Sequence, residues 1–485
     1  MRWAGAALGV LFVALAAPLL DLPGIYNDEA LFSSGTFPPY GAVYSAKVFQ
    51  RQFPLMLMTY LGTVKSHLYR AVFAVTPVNA WSVRLPMILV GGITVALFFS
   101  LVRRTLGERT AWFSGALLAT DATWIVTTRL DWGPVALQHL FLIFGAWSVT
   151  RFVQENRYRW LALGFFSFGL GCWDKALFLA PLAGLGAAAI LFLPSLRRRL
   201  FSWPAIAVAL LAFSIGAYPL IRYNVAWRGA TFRQPGQGSA GDLPGKARGM
   251  LGALEGNALL GWVTSPDANE APRSSAFPWL LAGCGVIFLR QRSRAGGFAL
   301  VAFAVGWTLL VSNRDTGGSA HHTVLLWPLP HLFVGAVLPG LPWRRVAIAA
   351  AGVTVATNLA VVEQYYSQWR RFGGGHGWSD AIYSLAKYPA ERLCLADWGM
   401  SDSLHLLTRG KLPLRYADEA TLRGPEAESL MEETFAAHVP GYEFIPGFLD
   451  RLDAFAAERG YRRVPLATIA DSRGRAVYLV FRYAK

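Results

Sequence analysis

Long apolar runs recur along the first three quarters of this chain, and short basic clusters interrupt them. A helix needs about 20 mostly apolar residues to cross a bilayer, because hydrocarbon offers no partner to an open backbone. Eleven runs meet that pattern: Trp3 to Leu20, Leu85 to Leu101, Ala111 to Thr127, Pro134 to Val149, Trp160 to Trp173, Ala176 to Leu193, Trp203 to Leu220, Phe277 to Leu289, Phe298 to Val311, Val324 to Leu338 and Val346 to Val362. The stretch from Phe53 to Val75 is also apolar but carries Lys65, His67 and Arg70, so it reads as an interfacial helix on the outer leaflet. After about residue 363 charges become frequent and the long apolar runs stop. Arg392 to Ala396 and Ala476 to Phe481 there read as strands, and Asp402 to Thr408 and Leu449 to Arg459 as helices.

The expected fold is therefore a polytopic α-helical membrane protein of about 11 transmembrane helices with a small C-terminal extracytoplasmic α/β domain. The expected division is 1–362 for the membrane part, whose outer loop 21–84 carries an acidic pair, and 363–485 for the soluble part. The first run also fits a secretory signal. No small-residue cleavage site leads into a soluble domain, however, which favours a retained helix.

Orientation follows from the basic clusters. With Arg2 in the cytoplasm and one crossing per run, the clusters at 103–109, 151–159, 197–199, 290–294 and 344–345 all fall inside, as the positive-inside rule requires. The same count places 21–84, 221–276, 312–323 and the C-terminal part outside, in a cell (inner) membrane protein with a cytoplasmic N-terminus. The 221–276 segment, rich in Gly, Pro and polar residues, is expected to be either partly disordered or ordered only with substrate.

Composition supports this picture. Of the 485 residues, 54% are hydrophobic and 15% charged, against about a quarter charged in soluble chains. The net charge of +16 is spread over loops rather than gathered in a patch, which argues against a nucleic-acid partner. Cys172, Cys284 and Cys394 are too widely spaced for a metal or redox motif.

The chemistry gathers at the outer ends of the runs: Asp28-Glu29 after the first, Asp131 after the third, Asp174-Lys175 between the fifth and sixth, Arg222 after the seventh, and His321-His322 before the tenth. Each has an ordinary explanation. Acidic pairs are usually solvated, Asp131 before Pro134 suits a helix start, Lys175 suits snorkelling with Asp174 as its partner, and two histidines without a third ligand make no metal site. Asp121, inside the third run, is either buried and hydrogen-bonded or a sign that the run is shifted. Convergence on one face is what favours function. A carboxylate there suits a general base, and nearby cations suit a phosphate leaving group.

These residues resemble a known group. Tyr26-Asn27-Asp28-Glu29-Ala30, the stretch from Tyr69 through Arg84-Leu85-Pro86, Arg129 to Asp131, the Gly-rich fifth run ending at Lys175, and His321-His322 before the tenth are similar in order to GT-C fold integral-membrane glycosyltransferases of the protein O-mannosyltransferase and aminoarabinose transferase superfamily. The likeness covers roughly residues 1–345. It departs from the family where Ser66-His67-Leu68-Tyr69 stands in place of the usual His-Pro-Pro. The resemblance implies an inverting transfer of a hexosyl or pentosyl group from a polyprenyl-phosphate donor to an acceptor hydroxyl on a glycan, lipid or protein. It implies Asp28 as general base, Glu29 in support, Asp131 positioning acceptor or sugar, and Lys175, Arg222, His321 and His322 holding the donor phosphate. Some relatives use a divalent metal, and no ligand set for one is visible in the sequence. The alternative is a transporter or lipid flippase without covalent chemistry, for which only Asp121 and His139 stand mid-run and no repeat is found.

Overall fold

The computed structural model describes residues 3–233, 241–424 and 427–485. Arg2, the start of the topology count, and residues 234–240 of the 221–276 segment lie outside the described residues.

Helix α1 (Ala4–Ala16) is the first apolar run. The loop after it, expected on the outer side, holds α2 (Asn27–Leu31), a three-stranded antiparallel sheet of β1 (Tyr44–Val48), β2 (Arg51–Met58) and β3 (Leu61–Gly62), and α3 (Val64–Val75). The helix expected over Phe53 to Val75 therefore forms only in its second half. Pro54 cannot sit inside a helix without losing a hydrogen bond, and Gly62 is a poor helix former. The segment Arg51–Met58 pairs with β1 instead, burying Met56 and Leu57.

The next helices follow the apolar pattern closely. Helix α4 (Ala80–Leu106) starts on Asn79, whose side chain accepts from the Ser82 N–H at 3.0 Å, and ends on Arg103 and Arg104. The third run is two helices, α5 (Glu108–Thr120) and α6 (Ala122–Leu130). Asp121 breaks it: buried, the carboxylate accepts from the Trp124 N–H at 2.7 Å and lies 3.1 Å from His331 Nε2. Then come α7 (Val135–Glu155), α8 (Tyr158–Asp174), α9 (Leu179–Phe192), α10 (Pro194–Leu200) carrying Arg197 to Arg199, α11 (Trp203–Gly216) and α12 (Tyr218–Ala226).

In the 221–276 segment, residues 241–276 are more regular than the sequence suggested, with α13 (Leu243–Glu255) and α14 (Leu260–Val263). Asp242 caps α13 through the Gly245 N–H at 2.9 Å. The membrane part closes with α15 (Phe277–Gln291), α16 (Arg294–Val311), α17 (Ala320–Thr323), α18 (Leu329–Val337) and α19 (Arg344–Phe372). Every one of the eleven apolar runs thus contains a helix. Among the described residues, four helices pass for membrane spans by length and composition, or up to seven if bent pairs count as one span each.

Small residues let these helices approach closely, which is how packing is gained where lipid gives no hydrophobic drive. A Cβ on Gly9 of α1 would stand 2.5 Å from the Gly92 carbonyl of α4. At the end of α6 the buried Arg129 guanidinium donates to the carbonyls of Ala16, Pro18, Leu19 and Leu22. It is flanked by the Tyr366 and Trp369 rings of α19 at 5.3 and 5.2 Å.

The C-terminal part has α20 (Ile382–Leu385), β4 (Leu393–Leu395), α21 (Ser401–Leu407), β5 (Leu414–Tyr416), α22 (Glu419–Arg423), β6 (Thr434–His438), α23 (Phe448–Ala457), β7 (Arg462–Ala470) and β8 (Ala476–Ala484). The strands form one sheet in the order β5-β4-β6-β8-β7, parallel at β5-β4-β6 and antiparallel beyond. Cys394, Phe435, Leu452 and Phe481 pack on one face, and Leu393, Leu395, Leu404, Tyr478 and Val480 on the other.

Candidate active site

The acidic pair opens α2, and its two members meet different surroundings. Glu29 is fully buried and takes a forked ion pair from Arg84, at 2.7 Å from Nε and 2.8 Å from Nη2. Arg84 also donates to the carbonyls of Leu20, Pro23 and Gly24 at 2.7, 2.7 and 3.0 Å. Glu29 is thereby committed to tying the outer loop to α4. Breaking such a buried pair costs roughly 3–5 kcal/mol. Asp28 points the other way. It is partly exposed and accepts a hydrogen bond from Trp132 Nε1 at 3.1 Å.

Trp132 belongs to the turn between α6 and α7, which sends successive groups in different directions. Asp131, left-handed at φ 41°, is buried. Its carboxylate pairs with Lys65 of α3 at 2.8 Å and accepts from the Ala136 N–H at 2.9 Å. The expected helix-start role and a buried ion pair therefore share one side chain. Gly133, at φ +90°, lies under two site residues. A Cβ there would stand 3.0 Å from Lys175 Nζ and 3.0 Å from a His321 ring carbon, so both space and backbone angle call for glycine.

Lys175 follows α8 and donates from Nζ to the Gly133 carbonyl at 3.2 Å. Its neighbour Asp174 instead accepts from Gln138 Nε2 at 2.9 Å. The outer loop docks here. Leu61 of β3 bridges to Lys175, the Ala176 N–H donates to the Tyr60 carbonyl at 2.9 Å, and Trp173 Nε1 donates to the Leu55 carbonyl at 2.8 Å. His321 lies 4.4 Å from Trp132 and 4.2 Å from His322, ring to ring, and its buried Nδ1 has no hydrogen-bond partner among the described residues. His322 Nδ1 is 3.0 Å from Ser319 Oγ.

Asp28, Trp132, Gly133, Lys175, His321 and His322 thus form one connected cluster. Glu29 and Asp131 border it but are already paired. Arg222 is exposed on α12 beside the Tyr44 and Tyr218 hydroxyls, and none of the contacts that join the cluster reaches it. Beside Trp132 opens a cavity of about 470 Å³, lined by Arg248 and Gly249 of α13, Trp262 of α14, and Ser319. The Trp132 and Trp262 rings are nearly parallel, 6.1 Å apart. Trp132 stands inside the turn that the sequence pattern singled out. Lys65 was visible as a cation in an apolar stretch, whereas nothing local marked Arg248.

Burial raises the Asp28 carboxyl above the usual carboxylate range, opposed by the hydrogen bonds from Trp132 and Asn27 and by the charge of Lys175. Burial pushes the Lys175 ammonium down to about 8, opposed by Asp174, Asp131 and Asp28. A carboxylate with raised affinity for its proton suits a general base, and an ammonium still charged below about pH 8 suits an anionic leaving group. Among the described residues no three His, Cys, Asp or Glu side chains gather as a metal site.

Residues 63–219 match the dolichyl-phosphate-mannose-protein mannosyltransferase family, a stretch running from α3 into α12. A search of curated proteins returned no match. Among solved structures, ArnT from Cupriavidus metallidurans in the apo state is similar with a TM-score of 0.60 at 14% sequence identity, over 97% of this chain and 96% of that one. The chain has the fold of ArnT. The ArnT structure bound to undecaprenyl phosphate agrees, with a TM-score of 0.57 at 14% identity over 98% of this chain and 96% of that one. The likeness to GT-C fold membrane glycosyltransferases, drawn above from scattered outer-face residues, holds at the level of the whole ArnT fold.

Proposed function

We propose that this protein is an inverting glycosyltransferase of the cell (inner) membrane that moves a sugar from a polyprenyl-phosphate donor to an acceptor hydroxyl at the extracytoplasmic face. One observation carries the proposal: Asp28 and Lys175, 147 residues apart in the chain, meet through Trp132 and Gly133 beside an open cavity. The match to a family named for a dolichyl-phosphate donor and the undecaprenyl phosphate bound in ArnT support a lipid-linked donor.

In this mechanism Asp28 takes the proton from the acceptor hydroxyl as its oxygen attacks the anomeric carbon. The bond from that carbon to the phosphate oxygen breaks with inversion, and the electron pair leaves on the polyprenyl phosphate. Lys175 stabilises that phosphate, with His321 and His322 alongside. Glu29 supports Asp28 by fixing the loop on Arg84, and Asp131 holds α3 through Lys65. Arg222, outside the contacts that join the cluster, is a candidate for the donor phosphate from α12, and Arg248, lining the cavity, is a second. Residues 1–362 form the membrane part with all eleven runs crossing, and 363–485 form an outer α/β domain. The transport alternative would draw on Asp121 and His139. Asp121 is engaged as described above, and His139 lies 2.7 Å from each of the Val135 and Val324 carbonyls.

The test is incubation of purified protein with labelled polyprenyl-phosphate sugars and candidate acceptors. The wild type transfers label. Asp28→Asn lowers transfer by about 10²–10⁴-fold or more while thermal unfolding is unchanged. Full turnover by that variant overturns the assignment of the base, and vesicle transport without any covalent product overturns the enzyme.

A further inference from the structure

The membrane-part loop and the C-terminal sheet meet at the very residues that open α2. The Ser403 hydroxyl donates to the Ile25 carbonyl at 2.9 Å. Tyr26 stacks on Trp378 with centroids 4.5 Å apart. The Asn27 side chain is held at both of its ends: Oδ1 accepts from the Asp402 N–H at 2.9 Å, and Nδ2 donates to Asp402 Oδ2 at 3.1 Å. Further along α21 and just beyond it, His405 Nε2 lies 3.1 Å from the Phe37 carbonyl, and Arg409 donates to the carbonyls of Phe73 and Thr76 at 2.8 and 3.2 Å. This short helix and the turn after it therefore grip the outer loop at its start, middle and end.

We infer that Asp402 is a positioning residue for Asp28, acting through the Asn27 amide, so that the C-terminal part completes the reacting centre. This rests on the reading of Asp28 as the base. The Asn27 amide also hydrogen-bonds Asp28, so it stands between two carboxyl groups. Fixing its orientation on Asp402 fixes what it presents to Asp28.

The link is electrostatic as well as geometric. Asp402 is pushed up to about 7, chiefly by burial and further by the charge of Asp28, against the Asn27 hydrogen bond. Its other neighbours are Tyr416 and Ser401. Around Asp28 stand Tyr26, Tyr60, Trp132 and Lys175, while Glu29 next to it is paired with Arg84. Asp402 is therefore still protonated where Asp28 first ionises, and the charge of Asp28 in turn delays the ionisation of Asp402.

The experiment compares pH profiles of sugar transfer by the full chain. Asp402→Ala loses the hold on Asn27, and kcat falls by about tenfold or more while KM for the lipid-linked donor stays put. Asp402→Asn keeps the side-chain shape without the charge. It recovers most of that kcat and removes the inflection near pH 7 that ionisation of Asp402 imparts to the profile. A purely structural role would leave the shape of the profile in place. Asn27→Ala, which cuts the link from its other end, lowers kcat as Asp402→Ala does. An Asp402→Asn profile superposing on the wild type through pH 7, or full kcat in Asn27→Ala, overturns the inference. If Asp28→Asn is inactive in the same assay, only this inference falls; if Asp28→Asn is active, the assignment of the base has failed first.

Discussion

Two adjacent acids, Asp28 and Glu29, diverge because of partners that lie far away in the chain. Their presence as a pair was legible from the sequence. Which of them remains available was not, since the choice is made by Arg84 and Trp132, 55 and 104 residues away. The same holds for Asp131, whose capping role was readable from Pro134 while its pairing with Lys65 needed the fold. Arg222 was a candidate by its place after the seventh run, and it lies beside the Tyr44 and Tyr218 hydroxyls. At this scale Lys175 yields a prediction. Its ammonium is held down to about 8 by burial, so its charge is present below that pH and lost above it. Transfer that needs the cation falls as pH rises through that value. Lys175→Arg, which stays charged, moves the basic limb of kcat/KM upward. A basic limb unchanged by that substitution would remove Lys175 from the role.

Elements were readable wherever one period dominated. The eleven apolar runs, the strand at 392–396 and the helix at 449–459 each carry a single strong pattern, and helices or strands occupy those places. The outer loop was harder, because 53–75 mixes a strand containing Pro54 with a helix and both halves are apolar. Its fold is decided by docking on the α8 end, which no local pattern announces. Gly62 marks that dock: a Cβ there would stand 1.9 Å from the Trp173 carbonyl. Gly62→Ala is expected to push β3 off the Lys175 junction, lower the melting temperature by several degrees and reduce transfer, measured by thermal unfolding and label transfer together. An alanine variant equal to the wild type in both would show the dock to be pliable.

For the molecule as a whole, the regular alternation of basic clusters with apolar runs makes orientation testable. Single cysteines in an otherwise cysteine-free chain, placed at Arg198 and at Ser472, are expected to differ. The first should label only after the membrane is permeabilised and the second from outside intact spheroplasts. Labelling of both from one side would mean that the count of crossings is wrong. The tertiary links between the ends of the chain were beyond any sequence pattern, since they join carbonyls and rings rather than periods. Arg129 is the clearest case, with α1 carbonyls on its guanidinium and Tyr366 and Trp369 of α19 on its faces. The Arg129 clamp on the segment leading to the acid pair thus gains its aromatic wall only when the last long helix has emerged from the ribosome. A polypeptide halfway through synthesis holds Asp28 and Lys175 yet lacks that wall, so on the proposed reading its site is complete only when translation is nearly done.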